Sequence, residues 1–342
     1  MDQPSSIPAP DSGFPLVPPP PVTAARNEIF YGPNGLRAGW RILVFILLLA
    51  ATVGVIHFSV RLVSHVMHHG QAGVRPLTLT DLSPGPIASG ELSSFLLILF
   101  AAWIMSRIER RSIGGYGIPL RNPFPKTFWT GLFWGFFAIS CVLGLIAAFH
   151  GFHIVGIDTN GSALAIAVVE WSLAFLAVGL SEEYAFRGYM LFTLTTGIGF
   201  WVSAILMSTL FALAHVSNSG ETPLGLTQVA VFGMVACIAL GRTGNLWWPI
   251  GFHAAWDWGQ TFFYGVPDSG LKATHNFLHS EFSGPAWLTG GSTGPEASIF
   301  SLVILVIAGA VLIWRYPEVR YPDPASLGPE PARRAVASVP LL

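Results

Sequence analysis

Residues 179–190 read GLSEEYAFRGYM and close a long, mostly apolar run. Three ionisable side chains, Glu182, Glu183 and Arg187, therefore stand where charge is costly. On a helix Glu183 and Arg187 are four residues apart and share a face, so they can pair. Glu182 projects about 100° away from Glu183, toward the side of Gly179 and Phe186. One glutamate is neutralised by its arginine, and the other is left for something else. A structural reading, in which both glutamates share the arginine and fasten a bundle, stands beside the functional one here.

The same pattern of apolar runs recurs along the chain. Of 342 residues, 52% are hydrophobic and only 10% charged, with a mean hydropathy of +0.59. A soluble enzyme of this length needs far more charge to coat its surface. Several runs reach or approach the ~20 residues that cross a bilayer as helix. The fold class expected is an all-α polytopic membrane helix bundle of about eight transmembrane helices. They lie near 40–62, 90–108, 128–149, 162–194, 200–217, 226–241, 246–264 and 297–315. The fourth is longer than a bilayer requires.

Basic residues test the direction of these spans. With the N-terminus inside, Arg26, Arg37 and Arg41 are cytoplasmic, as are Arg107, Arg110, Arg111, Arg121 and Lys126. Arg242, Arg315, Arg320, Arg333 and Arg334 follow on the same side, and only Arg61, Arg75 and Lys272 fall outside. The positive-inside rule then places both termini in the cytoplasm of a multi-pass integral membrane protein, in the cell membrane if the source is bacterial.

The N-terminus has no basic region ahead of an apolar core, and its prolines suit an extended arm. Residues 1–36 are expected to be a disordered Pro-rich tail, 37–316 the transmembrane domain, and 317–342 a second disordered tail. Cys141 and Cys237 fall inside apolar runs without a CxxC partner and read as small buried hydrophobes. Nothing in the formal net charge of −1 suggests a nucleic-acid partner. The stretch from Val266 to Glu296 is rich in Gly, Ser, Thr and Pro, long enough to cap a cavity but equally suited to a plain loop.

TTGIG at 195–199 is a turn signal. It makes the fourth and fifth spans an antiparallel hairpin, which sets Glu182 opposite the region from Leu210 to His215. The fifth span ends FALAHVSN, with Phe211 and His215 one turn apart on one face. A histidine near a helix end ordinarily carries no message; opposite a free glutamate inside a membrane it does. The seventh span carries GNLWWPIGFHAAWDWGQ, in which Asn245 can cap the helix and His253 and Asp257 share a face. The local alternative is a hydrogen-bonded pair that only stabilises the helix. Trp247, Trp248, Trp256 and Trp258 read as an interfacial belt or packing wall.

Taken together, Glu182-Glu183-x-x-x-Arg187, Phe211-x-x-x-His215 and His253-x-x-x-Asp257 resemble the EExxxR, FxxxH and HxxxN/D motifs of one family. These are the CAAX prenyl endopeptidase and bacteriocin-processing (CPBP, or Abi) intramembrane proteases, and the resemblance covers about residues 125–265. It implies that Glu182 activates the attacking water with His215 as its partner. His253 and Asp257 would support the developing oxyanion, and Glu183 and Arg187 would position the motif. The implied substrate is a peptide or protein associated with the lipid bilayer, with or without a C-terminal lipid.

The chemistry is coherent on its own terms. Peptide hydrolysis needs a base for water, a donor for the carbonyl oxygen and a proton for the leaving amine. Asp257 strains the scheme, because an ionised carboxylate repels an oxyanion. It is protonated, or it orients His253 by accepting a ring N–H, or it binds a metal. Glu182, His215 and His253 could together hold zinc and leave one position for water. The glutamate–water route works without a metal, and that is the favoured expectation. HExxH, GxGD and GxSG motifs of other intramembrane proteases are absent. Two further readings are a non-catalytic membrane scaffold or immunity protein of the same fold, and a proton-coupled transporter with Glu182 and the histidines as relay.

Overall fold

A computed structural model describes residues 29–32, 35–67, 83–119, 122–218, 220–273 and 275–321. The tail expectations for 1–28 and 322–342 lie outside the described residues. A two-stranded hairpin, β1 (Tyr31–Gly32) and β2 (Gly35–Leu36), leads into α1 (Ala38–Met67). The N-terminal tail boundary at 36 therefore cuts an ordered hairpin, which Arg37 closes by donating its N–H to the Phe30 carbonyl.

Helix α2 (Pro84–Ile108) opens with proline in its first turn, where a missing N–H costs nothing. Helix α3 (Lys126–Ala148) follows Pro125 in the same economy of donors. Strand β3 (Phe152–Ile157) precedes α4 (Gly161–Arg187), and a break at Gly188 separates α4 from α5 (Tyr189–Ile198). At Gly188 a side chain would collide with the Tyr184 carbonyl and ring. The turn read from TTGIG is there: Gly199 adopts φ 81°, and α6 (Phe200–Ala214) starts beyond it.

Thr222 caps α7 (Pro223–Thr243) by accepting from the Gly225 N–H at 3.1 Å, and Gly244 ends it in the left-handed region. Leu246 rather than Asn245 takes the N-cap position of α8 (Trp247–Asp257), and Asn245, one residue earlier, still accepts from the Trp247 N–H through Oδ1 at 3.1 Å. A π-helical segment, Trp258–Phe263, continues α8. Then follow β4 (Leu278–Phe282), the short α9 (Ala286–Thr289) and α10 (Ile299–Arg315). The chain is mostly helical, as the apolar runs require. β3 and β4 add a small antiparallel sheet that hydropathy alone does not reveal, Phe152 pairing with Phe282.

Among the described residues, five segments suffice by length and composition to cross a membrane: Ala38–Ser59, Pro84–Ile108, Lys126–Ala148, Gly161–Ile198 and Pro223–Thr243. With so apolar a chain, they make this an integral membrane protein. The other expected spans correspond to shorter elements, namely α6, α8 with its π continuation, and α10.

Close packing of α3 on α8 sets the centre of the bundle. Side chains at Gly131 and Gly135 would overlap the carbonyls of Trp248 and Phe252, and one at Gly251 would overlap that of Phe128. Small residues let apolar helices approach where lipid offers no hydrophobic drive between them. Phe211, Phe232, Phe252 and Trp256 fill the core between α6, α7 and α8. Residues 317–321, which composition assigns to the C-terminal tail, are seated on α7. The Gly241 carbonyl accepts from the N–H groups of Arg320 and Tyr321, and the Tyr321 ring is buried. Ring burial and a satisfied helix-end carbonyl outweigh the polar composition.

Candidate active site

Helix α4 delivers its two glutamates to different surroundings, as the 100° separation requires. Glu183 is fully buried and pairs with Arg187 across one helical turn, Oε1 to Nη1 at 3.3 Å. Arg187 lies over the Phe211 ring, 4.3 Å from its centroid, and Phe211 in turn packs edge-on against His215 at 4.7 Å. Through that sandwich the Phe of the second motif joins the arginine of α4 to the histidine of α6. Glu182 instead faces a cavity of about 310 Å³, with its side chain 27% exposed.

The hairpin of α4–α5 and α6 brings His215 to the same cavity, and α8 adds His253 and Asp257. All four residues read as catalytic thus line one space. His215 lies just beyond the end of α6, and its Nδ1 donates to the Phe211 carbonyl at 2.8 Å. A carbonyl only accepts, so this bond fixes the proton on Nδ1 of the neutral ring and leaves Nε2 as an acceptor.

His253 is held from three sides. Its Nδ1 lies 2.9 Å from Glu183 Oε1, and its Nε2 lies 3.4 Å from Asp257 Oδ2 and 3.6 Å from Glu182 Oε2. Carboxylates face both nitrogens, so donation from both requires the protonated ring. Glu183 therefore serves Arg187 and His253 together, a link that the four-residue spacing does not disclose. Asp257 lines the cavity and at the same time approaches the His253 ring, so the orienting reading and the readings that turn it to the cavity both remain open to it.

Among the described residues, no three His, Cys, Asp or Glu side chains are grouped as a metal site. Glu182, His215 and His253 share the cavity, and the Nδ1 of each histidine faces a fixed partner, the Phe211 carbonyl for one and Glu183 for the other, which leaves Nε2 as the nitrogen turned to the cavity.

Three acidic residues of the cavity fall outside the motifs. Glu91 comes from α2, and Asp268 and Glu296 come from the segment between the π-helical turn and α10. A lone acid inside an apolar run is a signal for Glu91. Nothing local marks the other two, which reach the cavity only through tertiary folding. Asp268, Ser269, Leu271 and Glu296, near the two ends of the stretch from Val266 to Glu296, thus line the cavity. Cys237 is buried and Cys141 half-buried, both as free thiols.

No curated protein and no solved structure matches the chain. A family model does: that of the Rce1-like type II CAAX prenyl endopeptidases matches residues 163–259. This range contains Glu182, Glu183, Arg187, Phe211, His215, His253 and Asp257. The segment that builds the site thus matches the family its three motifs resemble, the type II CAAX prenyl endopeptidases of the CPBP group.

Proposed function

We propose that the protein is an intramembrane endopeptidase that hydrolyses a peptide bond of a membrane-associated protein or peptide. The observation that carries this reading is the convergence of Glu182, His215, His253 and Asp257, from three helices, on one cavity. Glu182 is partly open and has only a long 3.6 Å contact with His253, beyond hydrogen-bond reach, so it can accept a proton from water. His215 offers Nε2 as a second acceptor that orders this water. His253, protonated and anchored through Nδ1 on Glu183, turns its Nε2–H, whose contacts with Asp257 and Glu182 are long, to the carbonyl oxygen as negative charge develops there. Asp257 and Glu183 hold that ring, and Arg187 balances Glu183.

Water adds to the carbonyl carbon as Glu182 takes its proton. Collapse of the tetrahedral intermediate breaks the C–N bond, and the same proton passes from Glu182 to the leaving amine. Atoms and charge balance without a metal, and metal independence is part of the proposal. The eight-span topology with both termini in the cytoplasm goes with this reading: α6, α8 with its π segment, and α10 supply three crossings beyond the five long ones.

The test uses the full chain reconstituted in liposomes with a membrane-anchored randomised peptide library, products being identified by mass spectrometry. Wild-type protein should cleave, should keep cleaving after treatment with a zinc chelator, and should lose cleavage on Glu182→Gln. Near wild-type cleavage by that variant would refute the assignment of Glu182. Solute-driven proton uptake without any cleavage would favour the transporter instead. A cellular phenotype that survives Glu182→Gln would favour the scaffold.

A further inference from the structure

The roof of the cavity is a built feature. Beyond Asp257 the π-helical turn redirects Gln260 and Thr261, and such turns inside helices are frequent at functional sites. Gln260 accepts from Trp256 Nε1 at 3.1 Å and donates to the Pro267 carbonyl at 2.8 Å and to Glu296 at 3.3 Å. The Ser269 N–H donates to the other oxygen of Glu296 at 2.6 Å, and Thr261 donates to Asp268 at 2.8 Å. Gly294, at φ 119°, passes so close to the Pro267 carbonyl that no side chain fits. These bonds fix two carboxylates over the reacting centre.

Both carboxylates lie among neutral donors: Glu296 is only 6% exposed, and the bonds it accepts come from an amide and a backbone N–H. A buried carboxylate without a cation is costly, so its retention beside a cavity calls for a partner. Around the cavity stand five carboxylates, Glu91, Glu182, Asp257, Asp268 and Glu296, against two imidazoles, His215 and His253. No lysine or arginine lines it among the described residues. His253 is in ion-pair contact with Glu182, Glu183 and Asp257, while the roof pair accepts hydrogen bonds from neutral groups and feels the imidazoles only at longer range.

Building on the endopeptidase reading, we propose that Asp268 and Glu296 are specificity-determining residues that select substrates carrying a lysine or arginine next to the scissile bond. A cationic side chain entering beneath the roof receives two acceptors already held in place, so little ordering is needed on binding. An acidic side chain there, or a free C-terminal carboxylate, meets like charge.

Titration sets the pH range in which the pair is charged. Burial pushes the Asp268 carboxyl above its ordinary range, with Glu182 adding to the rise and Thr261, His253 and His215 opposing it. Burial likewise raises Glu296, helped by the charges of Asp268 and Asp257 and opposed by Ser269 and Gln260. A bound cation stabilises the ionised forms, so selectivity for lysine over glutamine should widen as pH rises through the raised values.

The experiment uses the full chain in liposomes with three membrane-anchored peptide libraries, identical except for lysine, glutamine or glutamate fixed at one position. Cleavage should favour the lysine library over the glutamine one by about tenfold, and the glutamate library should be poorest. Asp268→Asn and Glu296→Gln should each reduce that ratio severalfold, whatever they do to the overall rate. If Glu296→Gln fails to accumulate, Asp268→Asn carries the test, and Asp268→Glu should restore the preference. Equal cleavage of all three libraries overturns the inference and leaves the endopeptidase reading intact, as does a preference untouched by the variants. Absence of cleavage in every library removes that reading and this inference with it.

Discussion

Two groups of buried charge in the bundle differ in how fully their charges are answered. At the junction of α1, α2 and α5, Glu109 receives Arg41 on both oxygens, Nε to Oε1 at 2.8 Å and Nη2 to Oε2 at 2.5 Å. Tyr189 donates to Oε1 at 2.6 Å, Tyr116 to Oε2 at 3.2 Å, and Arg111 lies 3.4 Å from Oε2. Arg41 also donates to Thr196 at 2.9 Å. At the cavity, by contrast, Glu182 has a single long contact, and Glu183 Oε2 and Arg187 Nε and Nη2 have no hydrogen-bond partner. Both groups are equally foreign to an apolar interior. Complete mutual satisfaction marks the first as a fastening. An open carboxylate above a cavity marks the second as a place where something else completes the bonding.

Five substitutions would break or sharpen that contrast. Glu182→Gln should lower kcat by about 10²–10⁴-fold, the contribution usual for a general base, while thermal unfolding stays at the wild-type temperature. A melting temperature that fell with activity would place Glu182 among the fastenings. Glu183→Ala or Arg187→Ala strands the partner charge, for a loss of about 3–5 kcal/mol, and should lower the yield of folded protein and activity together. An unchanged melting temperature in both variants would show that the pair is not structural.

Glu109→Ala should cost a similar ~3–5 kcal/mol by leaving Arg41 unpaired, but turnover per folded molecule should match wild type. A fall in that specific turnover would erase the distinction between the two groups. Smallest is Asp257→Asn, since an amide oxygen can still accept from the His253 ring and the family pattern admits either residue. A drop in kcat of about tenfold or less is expected. A loss as large as that of Glu182→Gln would mean that Asp257 acts on the substrate itself.

Much of the site was legible because helical spacing converts residue number into direction. The pairing of Glu183 with Arg187, the isolation of Glu182, and the shared face of His253 and Asp257 all follow from a 3.6-residue repeat. The turn at 195–199 then carried His215 to the right level. The Glu183–His253 contact joins α4 to α8 and depends on how closely α8 packs on its neighbours, which no local pattern encodes. Asp268 and Glu296 lie in a polar segment whose composition suits a solvated loop equally well. The Arg41–Glu109 fastening escaped for a related reason: Arg41, at a span end, reads as a cytoplasmic marker, yet it turns inward to meet Glu109. Spans were easier to see than helices. The long fourth run concealed a break at Gly188, where the obstacle is the Tyr184 carbonyl and ring rather than any change in hydropathy.

The double service of Glu183 bears on how such a protein could change its trade. Under the proposed mechanism, a lineage that abandons proteolysis and keeps the bundle for binding can replace Glu182 freely, since little in the packing leans on it. Glu183 has no such latitude, because its removal unseats a structural arginine along with the histidine. Descendants that no longer cleave should therefore be recognisable by a motif broken at its first glutamate and whole at its second.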